Sequence, residues 1–181
     1  MTMARFSSHV RELRQDASGL ATIEFAMAST MLMLGLLNGL EVARWSFQRM
    51  EVANAVHSAA HAVWNACDTK HLPAMTNCAG RAAAITNGLK STSLGTAVTV
   101  AATSPTEGYY CLTSGGVLKK EADYTDTKPA NCSAEGDSAH VPGDYLKITA
   151  TYAYRPMFGR GITVGSLMPA TLSSSSMIRL Q

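Results

Sequence analysis

SGLATIEFAMASTMLMLGLLNGLEVARW, Ser18 to Trp45, is a nearly continuous apolar run with one acid, Glu24, close to its start. From Leu20 to Leu40 there are 21 residues and a single charge. As an α-helix this segment would be ~31 Å long, about one hydrocarbon core of a bilayer. A secretory signal would have a shorter apolar region with a small-x-small site just after it. Here Ala26-Met27-Ala28 lies at the wrong end, and Ala53-Asn54-Ala55 comes well after charged residues. The run therefore reads as a retained span. Arg5, Arg11 and Arg14 precede it, against Arg44 and Arg49 after it, a bias that favours a cytoplasmic N-terminus. The rival reading, a buried core helix of a soluble protein, is kept open by Glu24 and Asn38. The density of Met and Leu over Met31–Leu37 opposes it.

The helix is expected to continue past the span. No proline interrupts Leu40 to Asn65. Phe47, Met50, Ala53, Val56, Ala60, Val63 and Trp64 recur every three or four residues, while Arg49, Glu51, Asn54, Ser58 and His61 take other faces. One helix from Leu20 to Asn65 would be ~69 Å long. Its first part needs lipid or a partner helix around it; its second part needs a sheet to pack on.

The chain of 181 residues suits one globular domain plus such an element. A net charge of +2 supplies no basic field, so a nucleic-acid partner is not expected. All four cysteines, Cys67, Cys78, Cys111 and Cys132, follow the span. With the N-terminus cytoplasmic they lie in an oxidising space, and an even number there reads as two disulfides. Three connectivities are open. Cys67–Cys78 with Cys111–Cys132 is favoured because both close short loops. Zinc is disfavoured, since no C-x-x-C pair is present.

Beyond Cys67 a break at Asp68–Pro73 precedes a second helix over about Cys78–Leu89, with Thr76 or Asn77 as cap and Gly88 at its end. Alternation then marks strands at Thr96–Ala102, Gly108–Thr113, Tyr145–Tyr154 and Ala170–Leu180. Ser114–Val141 reads as a long polar loop tied down by Cys132, and Arg155–Pro169 as an irregular link. The expected fold is α+β: a long N-terminal helix, transmembrane then amphipathic, packed on a small antiparallel sheet of three to five strands, with a second short helix. Its expected divisions are a leader at 1–19, a span at 20–40, an amphipathic extension at 41–66 and an external α+β domain at 67–181.

Few residues form a chemical constellation. His57 and His61 have the i, i+4 spacing of a zinc pair, but Ser58 stands where the general-base Glu of H-E-x-x-H must be, and His71 is too far along to serve as a third ligand. Asp123, Asp126, Glu135, Asp137 and Asp144 could gather around calcium, yet no EF-hand spacing is present and a solvated loop is the simpler reading. Asn131-Cys132-Ser133 fits an N-glycosylation triplet only formally. Tyr145, Tyr152 and Tyr154 suit sheet packing. No nucleophile elbow, phosphate loop or paired-carboxylate cleft stands out, so no catalytic residue, metal or cofactor is assigned.

The stretch SGLATIEFA places Gly19, then four residues, then Glu24 and Phe25. This resembles the processing site of prepilins, and in particular the TadE/TadF/TadG group of the tight-adherence (Tad, Flp-type) pilus systems. DYLKITATYAYRPMFG, a glycine-containing link and a Ser/Thr-rich strand ending in Met-Ile-Arg resemble the tail of the same group. Residues 14–66 carry the resemblance well and 144–181 loosely. The resemblance implies a non-enzymatic minor pilin or pseudopilin, pilin-like in fold. It implies a prepilin peptidase cutting between Gly19 and Leu20, and Glu24 pairing with the new α-amino group of a neighbouring subunit. The chain is too short for the larger domain of TadG-like proteins, which points to the TadE-like branch. Implied partners are other pilins through the N-terminal helix, the peptidase, the inner-membrane pilus platform and the lipid bilayer. Implied placement is a single pass through the bacterial inner membrane with a periplasmic C-terminal domain, or incorporation into an extracellular pilus. Two alternatives remain open: a permanently anchored periplasmic scaffold or binding protein, and a tip adhesin acting through the 114–141 loop.

Overall fold

The computed structural model describes residues 17–158 and 163–181. Its first element, α1, is an uninterrupted helix, Ala17–Ala66, of 50 residues. No proline enters this stretch, and its glycines are isolated among strong helix formers, so the i→i−4 ladder is never broken. The chain divides into two compact units: α1 up to Ala43 with Pro156–Met168, and Arg44–Arg155 with Pro169–Gln181.

In the second unit α1 buries Val52, Ala55, Val56, Ala59, Ala60 and Val63. These positions repeat at 3.6 residues and make one stripe. The stripe expected from the sequence shares Val56, Ala60 and Val63 with it, but Phe47, Met50 and Trp64 are exposed. The large side chains lie on a neighbouring face, and alanines do the packing because their small volume lets other backbones approach. Helix α2 is a single turn, Ala74–Asn77, and α3 runs Arg81–Leu89. Gly88 lies inside α3 rather than beyond its end: a Cβ there would stand 2.4 Å from the Ala59 Cα, so the α1–α3 crossing requires glycine. The N-cap of α3 is Gly80, without a side-chain cap. Thr76 and Asn77 instead fold back on the preceding turn, donating to the carbonyls of Pro73 and Leu72.

The sheet has five strands: β1 Val98–Val100, β2 Thr106–Leu112, β3 Leu118–Asp123, β4 Gly143–Ala153 and β5 Thr171–Arg179. Every pairing is antiparallel. Strand β4 is the hub. Its one edge carries β5 in register from Tyr145↔Arg179 to Ala153↔Thr171. Its other edge takes β2 near Gly143–Lys147 and β1 near Ala150–Tyr152, and β3 adds outside β2. Leu146, Ile148 and Ala150 are buried on the core face of β4, as its alternation requires. The four serines of β5 sit in a regular ladder, with Leu172, Ser176 and Leu180 buried. The molecule is thus α+β, a long helix packed on a small antiparallel sheet with shorter helices beside it.

Strand β3 corrects the reading of Ser114–Val141 as one loop. Leu-Lys-Lys-Glu-Ala-Asp has no period-2 apolar pattern because β3 is an edge with both faces largely wet. Pairing with β2 through the Thr113–Val117 turn, not side-chain burial, makes it a strand.

Candidate assembly and membrane interface

The first turns of α1 hold the residues singled out from the sequence. Gly19, Leu20, Glu24 and Phe25 are all exposed. Gly19 has open space around it, and among the described residues Glu24 has no hydrogen-bond or ion-pair partner. Exposure continues along Ile23, Met27, Met31, Leu32, Met33, Leu34, Leu36 and Leu40. A helix apolar on all sides and bare on all sides is shaped for lipid or for other helices. Its most apolar stretch has no buried residue, unlike the core helix of a water-soluble domain.

The hydroxyls of Ser29 and Thr30 and the amide nitrogen of Asn38 find partners within the helix itself. Thr30 Oγ1 and Ser29 Oγ donate to the Ala26 carbonyl at 2.8 and 3.0 Å. Asn38 Nδ2 donates to the Leu34 carbonyl at 2.7 Å. Hydrocarbon offers no partner, so such back-bonding is what a span requires. By helical spacing, Glu24, Ala28, Gly35 and Gly39 share one face. The two glycines have nothing within 4 Å of a Cβ position, leaving bare backbone beside the acid's face. Small residues of this kind let two helices approach closely in a membrane.

At the far end of the apolar stretch Glu41 and Asn38 are held by the chain's own loop. Glu41 is fully buried. Its carboxylate accepts from the backbone N–H groups of Met157, at 3.1 and 3.2 Å, and Phe158, at 3.3 Å. Asn38 Oδ1 accepts from Val164 N–H at 2.7 Å. Gly165 is tight against this site: a Cβ there would lie 3.0 Å from both Glu41 Cγ and Pro156 Cβ. Glu41 is not among the residues the sequence singles out; its signal there is a second acid one residue beyond the span. In the other unit Arg49 lies 5.5 Å from the centroid of the Trp45 ring, an amphipathic cation–aromatic pair of the sort found at membrane boundaries.

The cysteines form Cys67–Cys78 and Cys111–Cys132, each with Cα atoms 5.6 Å apart. The first joins the end of α1 to the end of α2. The second ties β2 to the segment after β3.

The remaining sequence candidates are dispersed. His57 Nδ1 faces Ser176 Oγ at 3.0 Å, and His71 pairs with Asp68 at 2.5 Å. The acidic residues of the 114–144 region each have separate company. Lys120 pairs with Asp123, Lys119 with Glu135, and His140 with Asp137. Among the described residues no three His, Cys, Asp or Glu side chains come together to hold a metal ion. Tyr145 meets Tyr110 edge to face, with ring centroids 5.6 Å apart, and lines a cleft of about 350 Å³ with Cys111, Val141 and Arg179.

Asp144 stands apart from the other acids because it is buried beside Glu107. Glu107 accepts from the N–H groups of Ala74 and Met75, both at 2.6 Å, and so caps α2. Burial and the neighbouring Glu107 carboxylate push the Asp144 carboxyl up to about 7, with Lys128 opposing the rise.

Comparison with known proteins places one match on the geometry just described. Residues 19–61 match the family model described as TadE-like protein. No curated protein and no solved structure matches the chain.

Proposed function

We propose, from the premise that the chain carries a TadE-like domain over residues 19–61 and stands with the TadE-like proteins of the Tad pilus system, that it is a minor pilin or pseudopilin acting in pilus assembly or stabilisation. The observation that carries this reading is Glu24. It is an exposed carboxylate in the first turns of an all-round apolar helix, without a partner among the described residues. In lipid an isolated carboxylate is costly, and a well-aligned cation supplied by a neighbour offsets that cost. Cleavage between Gly19 and Leu20 would create such a cation, the α-amine of Leu20. Glu24 would then be the fifth residue of the mature chain, one helical turn from its own N-terminus and able to meet a neighbour's. Gly35 and Gly39 on the same face would let that neighbour's helix pack closely.

In this reading the working surface is the helix and the sheet domain is its rigid head, held by two disulfides suited to the periplasm. Partners would be other pilins, a prepilin peptidase and the inner-membrane platform. Intact-mass and N-terminal peptide analysis of the protein isolated from its native host's membranes tests the processed form. A chain beginning at Leu20 is expected; a population carrying only the full leader would overturn processing.

A further inference from the structure

We infer that the segments Pro156–Phe158 and Thr163–Met168 form a lipid-inserting collar, with Leu167 and Met157 entering the bilayer at the headgroup–acyl boundary beside the end of the span. This rests on the reading that α1 crosses a membrane. Among the described residues, four large apolar side chains are at least 70% exposed: Phe25 and Met31 at 75%, Leu36 at 70% and Leu167 at 84%. The first three lie in the apolar helix. The fourth and most exposed belongs to this loop, and Met157 in the same loop is exposed as well.

The loop's height along the helix is set by hydrogen bonds. Val164 N–H donates to Asn38 within the last turn of the apolar stretch, and Met157 and Phe158 N–H donate to Glu41 one turn on. Val164–Leu167 is a 3₁₀ turn, which rises ~2 Å per residue, so Leu167 lies within ~6 Å of the level of Asn38 along the chain. The interfacial layer between hydrocarbon and bulk water is about that thick on each side of a bilayer. Amphipathic helices that lie in this layer bury their apolar faces ~5–10 Å into the boundary, and Leu167 and Met157 stand at the same level.

The loop also solves a problem for the helix. Glu41 would face lipid headgroups and acyl chains at that level, and instead its oxygens are capped by backbone amides while the loop turns Leu167 and Met157 outward. The collar replaces a carboxylate at the membrane surface with two apolar side chains.

Site-directed spin labelling of the full chain in phosphatidylcholine–phosphatidylglycerol vesicles tests this. All four native cysteines are paired, so an introduced thiol is labelled selectively. Nitroxides at Leu167→Cys, at Met157→Cys and, within the span, at Leu32→Cys are compared with free label for collision with oxygen and with a water-soluble nickel chelate. The expected oxygen-to-nickel ratio is highest at position 32, with 157 and 167 several-fold above free label. Loop labels that collide with nickel like free label, while position 32 favours oxygen, would overturn the collar and leave the span intact. Loop labels shielded from both reagents would mean that protein covers the loop, and would overturn it too. A position 32 label open to nickel would remove the span itself.

Discussion

Glu107 and Asp144 lie side by side with almost no water around them. Glu107 is committed to two α2 amides, and Asp144 is held up to about 7 by burial and by that neighbour. Its ordinary value is 3.8. Between about pH 4 and pH 7 the folded protein therefore keeps a proton that the unfolded chain releases, so this group's contribution to stability falls as pH rises through that window. The melting temperature should be higher near pH 5 than near pH 8, and Asp144→Asn should flatten that slope. An unchanged slope in the variant would place the pH dependence elsewhere. Along the chain Asp144 follows Asp123, Asp126, Glu135 and Asp137 and looks like a fifth member of one acidic region. Pairing of β2 with β4 instead sets Asp144 next to Glu107, and a contact across 37 positions leaves no local pattern. The spacing of Gly19, Glu24 and Phe25, by contrast, lies within two helical turns, and a relation that local can be read along the chain.

Helix α1 was legible in both parts because length and hydropathy are local properties, while the buried stripe of its second part was misdrawn. Periodicity marks the large apolar residues more strongly than the alanines that pack, and it does not reveal the packing partner, Gly88 of α3. The 2.4 Å approach at Gly88 makes a direct prediction. Gly88→Ala should destabilise the domain by ~1–3 kcal/mol through overpacking, measured by urea unfolding, although alanine is the better helix former. Ile148→Ala, at a fully buried position of the hub strand, should cost ~2–5 kcal/mol in the same assay. Loss of Cys111–Cys132, which closes a span of 21 positions, should cost ~2–4 kcal/mol and loosen the β2–β3 hairpin most. Strand β3 was illegible because an edge strand wet on both faces needs no alternation; its pairing comes from a turn and from β2.

Across the whole molecule, one continuous helix carries the apolar stretch, and its remainder packs on a disulfide-tied sheet domain. The TadE-like match falls on the helix and ends at residue 61. Glu24, in the proposed function, is a charge set in lipid to receive a neighbour's amine. The most direct measurement of this is pilus assembly in the native host, with the chromosomal copy replaced by Glu24→Ala and, as a charge-retaining control, Glu24→Asp. Surface pili counted by electron microscopy should be lost with Glu24→Ala and at least partly kept with Glu24→Asp, while both variants remain in the membrane fraction at wild-type level. Wild-type piliation with Glu24→Ala would contradict the account.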